Sequence, residues 1–227
     1  MRDTFHDELD QIGSSLVEMT ELVGSAIRRA TSALLDADLS LAEAVIGADA
    51  EIDRLHHQTE RRAFDLLARQ QPVAQDLRVI VAGLRMVADL ERMGDLAHHV
   101  AKIARMRYPA HAVPPELRST VLEMGQTAER IVAKAGSVIA DQDVATAVEL
   151  EADDDAMDDL HRKLFMIVLS DSWEHGMEPA IDVTLLSRYY ERFADHAVSV
   201  ARRLVYLVTG EDPAEADPEL TPALGDS

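Results

Sequence analysis

The word Glu91-Arg92-Met93-Gly94-Asp95-Leu96-Ala97 returns one hundred residues later as Glu191-Arg192-Phe193-Ala194-Asp195-His196-Ala197. Upstream of each lies a second matched set: Asp38, Asp53, Leu55 and His56 correspond to Asp143, Asp158, Leu160 and His161 at an offset of 105. Short words that recur in one order, with a single slip of five residues between them, mark a tandem duplication. The slip is expected in the connections around Pro72 and Pro179.

Working outward from these words, apolar residues recur at helical spacing. Leu16, Met19, Val23, Ile27, Ala30 and Leu34 form one stripe, which ends near Asp36-Ala37-Asp38. Leu41, Val45, Ile52, Leu55, Ala63 and Leu66 form the next, and a third runs from Leu77 through Val81, Leu84 and Val87 to Ile103. Beyond Pro109, Pro114 and Pro115, further stripes cover about 116–140, 144–170 and 180–208. The reading is six helices of roughly 25–35 residues, which short turns fold into antiparallel bundles. The fold class is therefore all-α, a tandem duplication of a three-helix bundle. Residues 1–110 form the first repeat and 111–210 the second. Residues 211–227 carry six acids, three prolines and no base, and such a segment is expected to be a disordered acidic tail.

Composition excludes several functions. The chain has 227 residues and no cysteine, so disulfides, thiolate zinc sites and a cysteine nucleophile are out. Forty-two acids against 22 bases leave a charge of −20, a field that repels nucleic acid and anionic lipid. No stretch approaches the roughly 18 apolar residues of a membrane span, and the acidic N-terminus is unlike a signal peptide. A cytoplasmic protein with no nucleic-acid partner and no membrane insertion is expected. No Gly-rich phosphate loop and no G-x-S-x-G word is present, so no enzyme and no catalytic residue is expected.

The functional signal is the placement of acids. In the third helix Leu77, Val81, Leu84, Ala88, Glu91, Asp95 and His98 follow one another at alternating steps of four and three, a spacing that makes one helix seam. The seam is apolar in its first half, so it is expected to face the interior, with Glu91 and Asp95 continuing a core stripe. Met177, Ile181, Thr184, Arg188, Glu191 and Asp195 repeat the arrangement. The second helix of each repeat has its own pair, Asp49 and Asp53 with His56, and Asp154 and Asp158 with His161. Carboxylates at i and i+4 share a helix face, and four in one bundle require a counter-charge. A cation bound by Asp49, Asp53, Glu91, Asp95, Asp154, Asp158, Glu191 and Asp195 would supply it. Oxygen donors without thiols suit iron, manganese, magnesium or zinc. Arg92 and Arg192 offer an alternative as ion-pair partners. His56 and His161 read as packing residues before ligands. His98 and His99 carry less weight because the second repeat has Val198 and Ser199 there. The remaining acids of Asp153-Asp154-Asp155 and Asp158-Asp159 read as exposed helix surface.

These residues resemble a known family. The run Arg69-Gln70-Gln71-Pro72-Val73-Ala74-Gln75-Asp76-Leu77-Arg78, then Val87-Ala88-Asp89-Leu90-Glu91-Arg92-Met93-Gly94-Asp95, is similar to the PhoU family of phosphate-transport accessory regulators. Tyr189-Tyr190-Glu191-Arg192-Phe193-Ala194-Asp195-His196 is similar too, and the resemblance covers about residues 5–210. Nineteen arginines against three lysines resemble an actinobacterial member. The resemblance implies a cytoplasmic homodimer that acts on the phosphate ABC transporter's cytosolic subunits and on a phosphate-sensing histidine kinase. It further implies a negative regulator of phosphate-starvation genes when phosphate is plentiful. Metal clusters on the eight acids above are implied as well. The second repeat lacks the Gln71-Pro72…Asp76-Leu77-Arg78 word. Two other readings stay open: a ferritin-like di-iron oxidase, although Glu-x-x-His is absent and only Asp53-x-x-His56 and Asp158-x-x-His161 come near it, and a plain helical scaffold without metal.

Overall fold

The computed structural model describes residues 2–70, 72, 75–141 and 143–210. They form α1 (Arg2–Asp36), α2 (Leu39–Gln70), α3 (Gln75–Arg107), α4 (Arg118–Asp141), α5 (Val144–Val168) and α6 (Met177–Thr209), with a 3₁₀ turn over Pro115–Leu117 ahead of α4. No strand occurs among the described residues. The acidic segment 211–227 and Gln71, Val73 and Ala74 lie outside them.

The duplication is visible in the helix starts. Asp38 accepts from the Leu41 backbone N–H at 2.9 Å, and Asp143 accepts from those of Ala145 and Thr146 at 3.0 and 3.3 Å. Each side chain satisfies amides that the first turn leaves without partners, a cap contribution of about 1 kcal/mol. The slip between repeats is taken up differently from the expectation. Pro179 lies in the first turn of α6 instead of the connection, where its missing N–H interrupts no helical bond. α5 ends early, so Leu169–Gly176 makes a longer connection than the one between α2 and α3.

Each repeat packs as a three-helix unit, but the two share one continuous hydrophobic core. α1 packs on α4 and α3 on α6 across the seam, so these four helices form the centre and α2 and α5 lie outside. Small residues bring α1 and α4 together: a Cβ at Gly125 would meet Thr31 Cγ2 at 2.5 Å, and one at Gly136 would meet Thr20 Oγ1 at 2.6 Å. The two contacts run in opposite order along the helices, which makes the pair antiparallel. Thr31 also hydrogen-bonds the buried Tyr190 hydroxyl at 2.7 Å, a polar tie between the repeats. α3 and α6 are likewise antiparallel. Arg107, ending α3, binds Asp182 near the start of α6 through Nε at 2.5 Å and Nη2 at 3.0 Å, and Asp182 is only 2% exposed.

The buried stripe of α3 is Ile80, Met86, Val87, Leu90, Met93, Ala97, Val100 and Ala101. This corrects the expected interior seam. Leu77 and Val81 are 41% and 38% exposed, and Ala88 is exposed too. In α6 the equivalent Met177 and Ile181 are 76% and 51% exposed, while Val183, Leu186, Tyr190 and Phe193 are buried. α3 contacts α1, α2 and α6, so its apolar face is wider than a two-helix seam. The alternating four-three step traced one edge of that face, not its centre. Glu91 and Asp95 therefore border the core.

Candidate metal centre at the helix crossings

At that border α2 crosses α3, and α5 crosses α6. The crossings place the same residue types together in both repeats. Burial first, then the neighbouring Asp95 and Asp53, push the Glu91 carboxyl above the usual range, against the pull of Arg92 and His56. In the second repeat burial again leads, with Asp195 and Asp158 raising Glu191 against Arg188 and His161. Each glutamate therefore senses one aspartate on its own helix and one on the neighbouring helix. Glu91 and Glu191 are half-buried, at 18% and 13% side-chain exposure. Asp53 and Asp158 lie at the exposed rim.

The counter-charges differ between the crossings. Arg92 reaches Glu91 at 3.5 Å and Asp95 at 2.9 Å. In the second repeat Arg188, one turn earlier, pairs with Glu191, and Arg192 acts electrostatically to lower Asp195. Arginine pairing thus exists, though not through equivalent residues. His161 Nδ1 bonds Ser187 Oγ at 2.5 Å and its ring packs on Phe165, while His56 stacks on His57. Both rings also act electrostatically on the glutamate of their own crossing.

His98 is the residue that comparison of the repeats undervalued. It pairs with Asp49, and both are largely buried. Val198 stands at the corresponding position beside Asp154, which lacks this partner. Burial, then Asp195 and Asp158, push the Asp154 carboxyl up to about 6, against Arg202. Burial also raises Asp195, against the pull of Arg188. Asp154 Oδ1 and Glu191 Oε2 are buried oxygens with no hydrogen-bond partner. Nearby acids are not all alike: Asp153 is held by Lys134 at 2.6 Å, whereas Asp155 and Asp159 are exposed.

The donor chemistry fits a hard cation. Carboxylates on neighbouring helices are close enough to raise one another, two buried carboxylate oxygens of the second repeat have no hydrogen-bond partner, and no thiol is present. Among the described residues no three His, Asp or Glu side chains already surround a single point as ligands. The first repeat couples Glu91 with Asp95 and Asp53 while Asp49 pairs with His98, the second couples Asp154, Asp158, Glu191 and Asp195, and neither set is preassembled into a coordination shell.

A duplicated three-helix unit with an equivalent acidic crossing in each half defines a helical tandem-repeat protein. The PhoU domain matches residues 16–104 and 121–204, and the chain belongs to the PhoU family. It is 51% identical over 213 residues to the phosphate-specific transport system accessory protein PhoU homolog 2 of Mycobacterium tuberculosis, covering 94% of this chain and 100% of the relative. Identity to PhoU homolog 1 of Mycobacterium leprae is 47%, covering 95% and 97%. The crystal structure of PhoU from Pseudomonas aeruginosa superposes with a TM-score of 0.83 at 30% identity, covering 91% of this chain and all of that one. The PhoU phosphate transport system regulatory protein from Streptococcus pneumoniae gives 0.82 at 26%, covering 92% and 98%.

Proposed function

We propose that this protein is an accessory regulator of phosphate transport that holds back the phosphate-starvation response while phosphate is plentiful. The observation that carries this is the 51% identity along the whole of a relative named as a phosphate-specific transport system accessory protein. It acts by contact, in the cytoplasm and as a homodimer, on cytosolic subunits of the phosphate ABC transporter and on a phosphate-sensing histidine kinase. No described helix is long and apolar enough to cross a membrane. The surplus of acids over bases favours basic partner surfaces and makes encounters salt-sensitive.

Metal ions belong to the same reading. Asp49, Asp53, Glu91 and Asp95 would hold one set of cations, and Asp154, Asp158, Glu191 and Asp195 the other, with iron, zinc, manganese or magnesium as candidates. A bound cation supplies positive charge and cross-links two helices. The protein's own residues do the rest. Arg92 and Arg188 hold the glutamates at the crossings, and the Asp49–His98 pair orients the first set.

The test is a starvation-promoter reporter in high phosphate, compared among wild type, a gene deletion, and a Glu91→Ala/Glu191→Ala variant. Deletion should switch the reporter on and the double variant should do so in part. A silent reporter with unchanged phosphate uptake in the deletion strain would overturn the regulatory reading.

A further inference from the structure

The first repeat is hollow at a point where the second is filled. α1 and α4 keep the 105-residue offset, Leu16-Val17-Glu18-Met19 returning as Val121-Leu122-Glu123-Met124, so Arg29 matches Lys134. Lys134 is neutralised by Asp153 at 2.6 Å and by Glu149 at 3.8 Å. The α2 residues matching those two acids are Ala48 and Ala44. Arg29 is therefore half-buried with no ion-pair or hydrogen-bond partner among the described residues. Three neighbouring positions differ as well: Gly94 stands for Ala194, His98 for Val198 and Ser25 for Arg130. The result is a cavity of about 50 Å³ between α1, α2 and α3, whose wall includes Ser25, Arg29, Ala48, Asp49, Gly94 and His98. A Cβ at Gly94 would meet Ile52 Cδ1 at 2.9 Å and Asp49 Oδ1 at 3.5 Å, so the second repeat's alanine would crowd this space.

The polar groups of the wall are unspent. Arg29 keeps its whole charge, and the Ser25 hydroxyl bonds nothing among the described residues. His98 gives Nδ1 to Asp49, and its buried Nε2 has no partner. Asp49 is the one acid on the wall, and its carboxylate is engaged by His98, not by Arg29. Buried groups of this kind are satisfied by protein, by water or by a ligand. An apolar guest would satisfy none of them, and a cation would meet the Arg29 charge. The volume holds about three to four water-sized groups, which is the bulk of one tetrahedral oxyanion. Because Nδ1 faces a carboxylate it carries the ring proton, and in the neutral ring Nε2 offers a lone pair. An oxyanion that retains a hydroxyl can donate to Nε2 while its other oxygens accept from Arg29 and Ser25.

We propose that this cavity binds one protonated tetrahedral oxyanion of the hydrogen phosphate type, with Arg29 and Ser25 as donors to its oxygens and His98 Nε2 as acceptor of its hydroxyl proton. The second repeat, with Lys134 already paired and Val198 in place of the histidine, has no equivalent site. The proposal does not rest on the regulatory reading: the reporter measures gene control, and the titration below measures binding.

Full-length protein is titrated with inorganic phosphate and, separately, with sulfate by isothermal calorimetry, with and without chelator. One saturable phosphate site per chain is expected, with sulfate at least about tenfold weaker because it leaves Nε2 unpaired. Arg29→Gln should weaken phosphate binding by about tenfold or more. Arg29→Lys/Ala48→Asp installs the second repeat's Lys134–Asp153 pair and should abolish binding, with circular dichroism checking that the helices are kept. Lys134→Gln should leave binding unchanged. In protein labelled with nitrogen-15 histidine, phosphate should also shift the His98 Nε2 resonance, which is assigned by its loss in His98→Gln. No saturable binding, sulfate bound as tightly as phosphate, or binding that survives Arg29→Lys/Ala48→Asp would overturn the proposal. Binding that disappears with chelator would place the anion on a bound cation and overturn it equally.

Discussion

Asp154→Asn should stabilise the metal-free protein at neutral pH, and the gain should vanish in acid. The Asp154 carboxyl has an unpartnered buried oxygen and two nearby aspartates, and is pushed from 3.8 to about 6. A displacement of about two pH units amounts to about 3 kcal/mol if fully expressed. Partial exposure and salt screening reduce that to about 1–2 kcal/mol. The sign follows from proton binding: between about pH 4 and 6 the folded chain holds a proton on Asp154 that the unfolded chain has released. Raising the pH through this window therefore costs stability, and the full penalty is present above about pH 7. Asparagine never ionises, so the variant escapes the penalty. Urea titrations from pH 4 to 8 with chelator present measure the difference directly. The variant should be more stable by about 1–2 kcal/mol at pH 8, equivalent to about 2–8 °C in Tm for a chain of this size, and should match wild type near pH 4. Equal stability at pH 8, or a gain that persists at pH 4, would refute the reasoning.

His98→Val recreates the second repeat's arrangement at the first and leaves Asp49 without its partner. It should lower the metal-free Tm at pH 7, and adding Asp49→Asn should recover most of the loss. Gly125→Ala drives a Cβ into Thr31 across α1 and α4, so about 1–3 kcal/mol should be lost in denaturant titrations. Gly13→Ala meets nothing within 4 Å and should gain about 0.5–1 kcal/mol by the same measurement. Tyr190→Phe removes the buried hydrogen bond to Thr31, while Thr31 keeps its bond to the Ile27 carbonyl. A loss of about 1 kcal/mol is expected from urea unfolding.

Helix number and duplication were legible because apolar periodicity and matched words are local properties of the chain, whereas α1 starts well before the stripe at Leu16 and α6 takes in Pro179. Asp38 and Asp143, read in the sequence only as matched positions of the repeat, prove to be the caps of α2 and α5. The direction of the carboxylates was less legible. A four-three step runs equally well along the centre or the edge of a wide apolar face, and only the packing of α3 against three neighbours decides between them. Exposed Leu77 and Val81 show the outcome. The gathering of Glu91 with Asp53, and of Glu191 with Asp158, was foreseeable from pairs repeated in both halves. The Asp49–His98 pair was not, because demanding symmetry discounts a histidine that the second repeat replaces with Val198. Arg107 and Asp182 carried no sequence signal at all, since their 75-residue separation closes only through the α3–α6 crossing.

Whether the two acidic crossings hold cations is tested most directly by elemental analysis of the protein purified without chelator or metal-affinity tag. Wild type should carry iron, zinc, manganese or magnesium in at least molar amount. Glu91→Gln/Glu191→Gln should carry markedly less while remaining helical. Wild-type protein that is metal-free as purified, and that binds none of these ions in equilibrium dialysis, would contradict the claim and leave arginine pairing to account for the carboxylates.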